Sequence, residues 1–291
     1  MTSLALSHTE PRRLGPLGTA SALLLPIAVV NAIGFLWPVV NLLKMSFREA
    51  QASGALGTGY NLDTWTNALT DSFTLELITN SVGVSLLITV LTLIASYPIA
   101  LYLHRSTGTW RTVLMVLVVA PLLTSAVVRT YGWIAILSDR GLVANALMAL
   151  GMAEPPRLMF NLTGVVIGLT EILMPYMILA LLSGFGRLDP RLEEAALTLG
   201  ASPLKTFWRV VLPLTAPGMA LGGLLCFVLA ISSFVTPKLL GGGRVFLLAT
   251  EIYDQAIVTL NWPLAAALSM IVLVVFGISL TLYARALRRI A

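Results

Sequence analysis

Residues 162–213 read LTGVVIGLTEILMPYMILALL, then SGFGRLD, PRLEEAALTLG and ASPLKTFWRVVLP. The first block, Leu162–Leu182, carries one charge, Glu171. At 1.5 Å rise per residue it reaches about 30 Å, the thickness of bilayer hydrocarbon. The remainder, Ser183–Pro213, is amphipathic and charged. Asp189-Pro190 pairs an N-cap side chain with a proline in the first helical turn. Leu192, Ala195, Ala196 and Leu199 recur at helical spacing, and Gly200 stands where a helix end uses a left-handed residue. Ser202-Pro203 repeats the starting device, and Pro213 and Pro217 mark entry into the next apolar run. The stretch therefore predicts a spanning helix, two short amphipathic helices at a sharp bend, and a second spanning helix.

The same apolar signature recurs along the 291 residues. The chain is 57% hydrophobic and 11% charged, with mean hydropathy +0.91. A soluble domain carries about 25% charged residues, so lipid is the main solvent here. Six segments qualify as spans: Thr19–Leu43, Ser81–Leu103, Thr112–Leu137, Leu162–Leu182, Ala216–Val235 and Pro263–Leu287. Lipid offers no hydrogen bonds to the backbone, so each is expected to be helical. The fold class expected is an all-α polytopic membrane protein. It divides into a cytoplasmic N-terminal segment 1–18, a transmembrane domain 19–287 holding the bend at 186–214, and a cytoplasmic tail 288–291. The basic pair Arg12-Arg13 precedes a run longer than a leader core, so the first run is read as a span rather than a cleaved signal.

Basic residues orient the spans. With the N terminus inside, the inner side holds Arg12, Arg13, Arg105, Arg111, Arg187, Arg191, Lys205, Arg209, Arg285, Arg288 and Arg289, eleven against four acidic residues, a net of +7. The outer side holds Lys44, Arg48, Arg140, Arg157, Lys238 and Arg244, six against eight acidic residues, a net of −2. Both termini are expected in the cytoplasm. The formal charge of +5 is spread out and headgroup-facing, so nucleic acid is not an expected partner.

Catalytic chemistry is absent from the pattern. Lys44, Lys205 and Lys238 are the only lysines and none follows a glycine, which excludes a phosphate-binding Gly-Lys-Ser/Thr loop. Two histidines, His8 and His104, and one cysteine, Cys226, leave no paired-histidine or multi-cysteine metal site. No catalytic residue and no cofactor on this chain are expected.

Two ionisable residues fall within spans, where a charge is a functional candidate by default. Glu171 lies near the midplane. Arg129 is placed about 25 Å above the inner end of a straight third span, so the two differ in depth by roughly 10 Å, and a direct pair needs offset or tilted spans. Glu171 either lines the pathway of a cationic solute or is a carboxylate neutralised or hydrogen-bonded between helices. Tyr131, Tyr176, Ser232 and Ser233 are further candidate lining groups, with helix packing as the alternative. Thr236–Trp262, with Pro237 and Gly241-Gly242-Gly243, is either a re-entrant gate or an exposed loop. For the bend at 186–214 the alternatives are a docking surface and an amphipathic helix lying on lipid.

Glu194-Ala195-Ala196, then Gly200 after three intervening residues, then Val210-x-Leu212-Pro213 resemble the EAA signature of binding-protein-dependent ABC importer permeases of MetI-like fold. Shorter stretches resemble the spermidine/putrescine permeases of that family: Tyr97-Pro98-Ile-Ala100, Arg129-Thr-Tyr131-Gly132-Trp133, Gly200-Ala-Ser202 and Asn261-Trp262-Pro263. The resemblance implies one half of a two-permease pore. It implies a second permease, two ATPase subunits that bind the ATP and Mg, and a periplasmic binding protein. It implies that Glu194, Ala195, Ala196, Gly200 and Pro213 belong to the ATPase-coupling element, and that the cargo is a polyamine or related small amine. The rival reading is an ion-gradient-driven secondary transporter or channel using Glu171.

Overall fold

The computed structural model describes residues 16–50, 56–186 and 188–290. Residues 1–15 with Arg12 and Arg13, Arg187, and the end of the tail at Ala291 lie outside the described residues, and side-chain placement stops short of Arg289. Helix α1 covers residues 16–46 and passes through a π turn at Ala32–Leu36. A two-stranded antiparallel hairpin comes next, β1 (Arg48–Ala50) and β2 (Leu56–Tyr60). Then come α2 (Asp63–Thr70), α3 (Ser72–Arg105), α4 (Gly108–Leu123), α5 (Ala126–Leu137) and α6 (Leu142–Ala149). The remainder is α7 (Leu162–Phe185), α8 (Pro190–Thr198), α9 (Pro203–Ser232), α10 (Val235–Leu240), α11 (Leu248–Tyr253) and α12 (Trp262–Ile290).

Among the described residues five helices, α1, α3, α7, α9 and α12, are long and apolar enough to cross a membrane. The expected third span is not straight. It breaks between α4 and the α5–α6 pair with a bend of 104°, and counts as a sixth crossing only as a broken one. Pro121 lacks the N–H that would continue the α ladder, and Ala120–Leu123 tightens into a 3₁₀ turn. Thr124 is then extended, and the Ser125 hydroxyl starts α5 by accepting from the Val127 N–H at 3.3 Å. The expected loop 138–161 contains the two-turn helix α6, mostly apolar with Asn145 as its one polar residue. The all-α expectation gives way at the β1–β2 hairpin, where Arg48 pairs with Tyr60.

The helix that holds the expected second span, Ser81–Leu103, is longer than that span. Asp71 caps α3, its carboxylate accepting from the Thr74 N–H at 3.1 Å. The 34-residue helix thus begins nine residues before Ser81, and its first turns mix Glu76 and Asn80 with Phe73, Leu75, Leu77 and Ile78. The second short helix at the bend is likewise not separate. Ser202 and Pro203 do start a helix, but it continues through a π turn at Phe207–Val211 into α9. The widened turn lies just ahead of Pro213 and accommodates a residue that cannot donate to the ladder.

Helices α3, α7 and α9 pack into the main core. Ile88, Tyr97 and Leu103 meet Leu169, Met177, Leu181 and Phe185, with Cys226 and Ala230 from α9. α7 and α9 approach so closely that a Cβ on Gly184 would lie 2.6 Å from the Gly218 Cα. Small residues that let backbones meet are the means by which helices associate in lipid. A second cluster joins Leu77 of α3, Leu248 of α11, and Leu268, Ile271 and Val272 of α12. α1 packs on α12 and leaves Ile27, Ile33, Phe35 and Trp37 unburied by the rest of the chain.

Candidate functional site

The short connections gather at one end of the bundle, around α8. The Asp189 carboxylate accepts from the Arg191 N–H at 2.9 Å, and Pro190 occupies the first turn. The other end closes as a Schellman motif: the Gly200 N–H donates to the Leu197 carbonyl at 2.9 Å and the Ala201 N–H to the Ala196 carbonyl at 3.0 Å. Gly200 has φ +83°, the left-handed conformation this cap requires. Both capping signals were readable because each acts within a few residues.

The expected docking face is open. Glu194 and Ala195 are exposed and Ala196 half-buried. Leu199, Leu204 and Trp208 are 89%, 69% and 59% exposed on α8 and the start of α9. Pro213 lies exposed, two residues beyond the π turn. The neighbouring Glu193, which the sequence did not single out, turns the other way and bonds Arg105 at the end of α3 at 2.6 Å. Neither the length nor the composition of the loop distinguishes two adjacent glutamates; only the position of α3 does.

Beneath α8 the ends of α3, α7 and α9 are tied by one aromatic cluster. The Tyr97 ring meets Phe185 edge-on at 5.6 Å and Phe207 at 5.7 Å, and His104 lies 5.5 Å from Phe185. The buried Tyr97 hydroxyl is hydrogen-bonded to the Thr215 hydroxyl at 2.9 Å.

A second polar group lies where α5 crosses α7. Trp133 Nε1 donates to Glu171 Oε2 at 2.9 Å. Arg129 Nη1 donates to the Ile172 carbonyl at 3.2 Å, on the residue next to Glu171. The 104° bend leaves no straight third span along which to count a depth, and the Arg129 guanidinium reaches the carbonyl beside Glu171. Among the described residues the ion pairs are Arg105–Glu193 and Lys238–Asp254, so Arg129 and Glu171 share a neighbourhood without pairing. Arg129 Nε and the Thr170 hydroxyl are buried without a partner. The hydroxyls of Thr130 and Thr236 meet at 3.0 Å and join α5 to α10. Trp133, not among the expected site residues, had a signal: it stands one helical turn from Arg129.

The other candidates are dispersed. Tyr131 is 59% exposed. Tyr176 packs against the main core. The Ser232 hydroxyl donates to the Val228 carbonyl of its own helix at 2.8 Å. Ser233 is extended at the break between α9 and α10. The segment after it is packed into the bundle: Leu240, Leu247 and Leu248 are buried, and the Leu248 N–H donates to the Ser81 hydroxyl at 2.7 Å. Ser81 lies nine residues into α3, about 13 Å along it, so backbone from this segment descends beside a spanning helix and not over its end. Gly242, at φ +57°, lies against Phe160, whose N–H donates to the Leu240 carbonyl. Among the described residues no three His, Cys, Asp or Glu side chains come together to hold a metal ion.

Residues 96–290 match the family described as "Binding-protein-dependent transport system inner membrane component". The chain is 34% identical over 266 residues to the spermidine/putrescine transport system permease protein PotB of Escherichia coli (strain K12), covering 89% of this chain and 96% of that one. It is 33% identical over 266 residues to PotB of Haemophilus influenzae, covering 89% and 93%. The fold is similar to a chain in the crystal structure of a bacterial alginate ABC transporter in complex with an alginate pentasaccharide-bound periplasmic protein. There the TM-score is 0.71 at 18% identity, covering 94% of each chain.

Proposed function

The chain belongs to the family of binding-protein-dependent transport system inner membrane components, a multi-pass permease component of an ABC importer, and from that premise we propose that it forms half of a polyamine-conducting pore. The observation that carries the substrate is the 34% identity to a spermidine/putrescine permease over nearly the whole of both chains. The position of Glu171 supports it. A half-buried carboxylate whose one oxygen accepts from Trp133 keeps a second oxygen for an ammonium, the strong class of charge-assisted hydrogen bond.

In this reading both termini and α8 face the cytoplasm, in line with the excess of basic residues at that end. A second permease completes the pore. Two ATPase subunits carry ATP and Mg²⁺, and a periplasmic binding protein delivers cargo at the opposite end. Glu194, Ala195, Ala196 and Gly200 dock into an ATPase subunit, whose closure displaces α8. Leu199, Leu204 and Trp208, exposed in the isolated chain, extend that surface, and tryptophan is among the usual anchors of a protein interface. Arg105–Glu193 and the Tyr97–Phe185–Phe207 cluster pass the displacement to α3, α7 and α9. Access to Glu171 then alternates between the two sides.

Uptake of radiolabelled putrescine by proteoliposomes holding the complete importer tests the proposal. Uptake is expected to require ATP, the binding protein and the intact α8. Uptake that persists without ATP under an imposed proton gradient would overturn it in favour of ion-coupled transport through Glu171.

A further inference from the structure

At the end of the bundle opposite α8, charge and aromatic rings converge on a single ammonium group. Lys238 of α10 places Nζ 2.5 Å and 2.7 Å from the two carboxylate oxygens of Asp254, in the π turn after α11. The same Nζ lies 5.8 Å from the centroid of the Tyr253 ring. Phe234 stacks on the other component of this wall, its ring 5.3 Å from Tyr253 and inclined by 14°. Both charged side chains remain about one-third exposed, 36% for Lys238 and 32% for Asp254.

A carboxylate that grips an ammonium with both oxygens, beside an aromatic face, is the general chemistry for recognising an organic cation. The ammonium of lysine differs from that of a small alkylamine only in being tethered. The Lys238 side chain is about one-third exposed and its stem is flexible, so its head can leave the carboxylate. α10 and α11 are joined through Gly241-Gly242-Gly243, with Gly242 and Gly243 at φ +57° and +75°, so the ion pair ties two short helices across a glycine-rich turn. One helical turn before Asp254, Glu251 bonds the Gln255 amide through Oε1. Side chains three apart on a helix stand about 5–6 Å apart at Cβ, a spacing that suits the two ammonium groups of a short diamine.

We propose that Asp254, Tyr253 and Phe234 form an entry subsite for a primary ammonium group, and that Lys238 occupies it as a tethered competitor until cargo displaces it. The inference rests on the polyamine reading for the identity of its natural ligand. An arriving diamine exchanges one ammonium for another on Asp254, so the carboxylate is never left unpaired. The exchange releases α10 from α11, and the cargo's second ammonium reaches toward Glu251.

The importer reconstituted in lipid nanodiscs without its binding protein tests this, with tritiated 1,4-diaminobutane and n-butylamine as probes. Lys238→Met, or Lys238→Gln if the first variant is poorly folded, removes the competitor and is expected to tighten binding of both amines about tenfold, the size of one charge-assisted hydrogen bond. Asp254→Asn is expected to lose binding at that site. The opposite signs are the readout, because a merely structural ion pair would move both variants in the same direction. Equal or weaker binding by the Lys238 variants, or unchanged binding by Asp254→Asn, overturns the subsite. Failure of the wild-type complete importer to transport diaminobutane overturns the polyamine reading instead. In that event butylamine binding alone decides the subsite, by the same pair of signs.

Discussion

Replacing Gly184 by alanine tests whether the contact between α7 and α9 positions α8. The added Cβ would lie 2.6 Å from the Gly218 Cα and 3.0 Å from its nitrogen, both backbone atoms that cannot rotate aside. Carbon atoms settle at about 3.5–4.0 Å, so the two helices must separate locally by about 1 Å. That gap forfeits a quarter to a half of the dispersion energy of the atoms it parts, and overpacking of this kind costs roughly 1–3 kcal/mol. Alanine's better helix propensity returns up to about 1 kcal/mol, leaving a net loss near 1–2 kcal/mol. Because α8 hangs between the ends of α7 and α9, the separation also displaces it. The assay is paired: the thermal midpoint of the purified chain in detergent, and binding-protein-stimulated ATP hydrolysis by the reconstituted importer. Gly184→Ala should lower both. Gly83→Ala, on α3 with nothing within 4 Å of the new Cβ, should lower neither midpoint nor coupling. An unchanged midpoint for Gly184→Ala, or a loss of equal size for Gly83→Ala, refutes the close-contact account.

Glu193→Gln removes the ion pair with Arg105, which at 52% exposure for the arginine and 22% for the glutamate is worth under about 1 kcal/mol. The midpoint should hardly move while stimulated ATP hydrolysis falls, and the exchange Arg105→Glu with Glu193→Arg should restore it. Gly200→Ala forces a side chain into φ +83° at a cost of about 1–2 kcal/mol. It should weaken co-purification of the ATPase more than it lowers the midpoint. Trp133→Phe deletes the donor to Glu171, a hydrogen bond to a charged group worth about 1.5–3 kcal/mol; putrescine uptake should drop while ATPase co-purification is retained. Glu194→Lys should leave folding intact, since the side chain is exposed, and abolish ATPase association.

The membrane character was legible because transfer to lipid depends on each segment's own side chains, and α1, α3, α7, α9 and α12 all lie over expected spans. The α8 caps were legible for a similar reason: Asp189, Pro190 and Gly200 act on backbone groups within a few residues of themselves. The third span defeated the same logic. Its hydropathy is continuous across Pro121 and Ser125, and hydropathy does not register direction. The boundary of α3 was missed because the Asp71 cap lies in polar sequence, where an apolar window is blind. Among candidate lining residues, Arg129 and Glu171 came together, while Tyr131 and Tyr176 did not, since a tyrosine serves core, lipid or pathway equally well by composition.

Composition and capping chemistry thus determined by themselves that the chain is a bundle of membrane helices with a capped amphipathic helix after α7. Only the tertiary structure decided which faces meet. It set Glu193 rather than Glu194 against Arg105, carried Arg129 to the carbonyl beside Glu171, and brought Leu248 down to Ser81. The physical reason is that lipid solvates every apolar face about equally. Hydrophobicity therefore selects a helix for the membrane without selecting its neighbour, and the choice falls to close backbone contacts such as Gly184 against Gly218 and to a few buried hydrogen bonds.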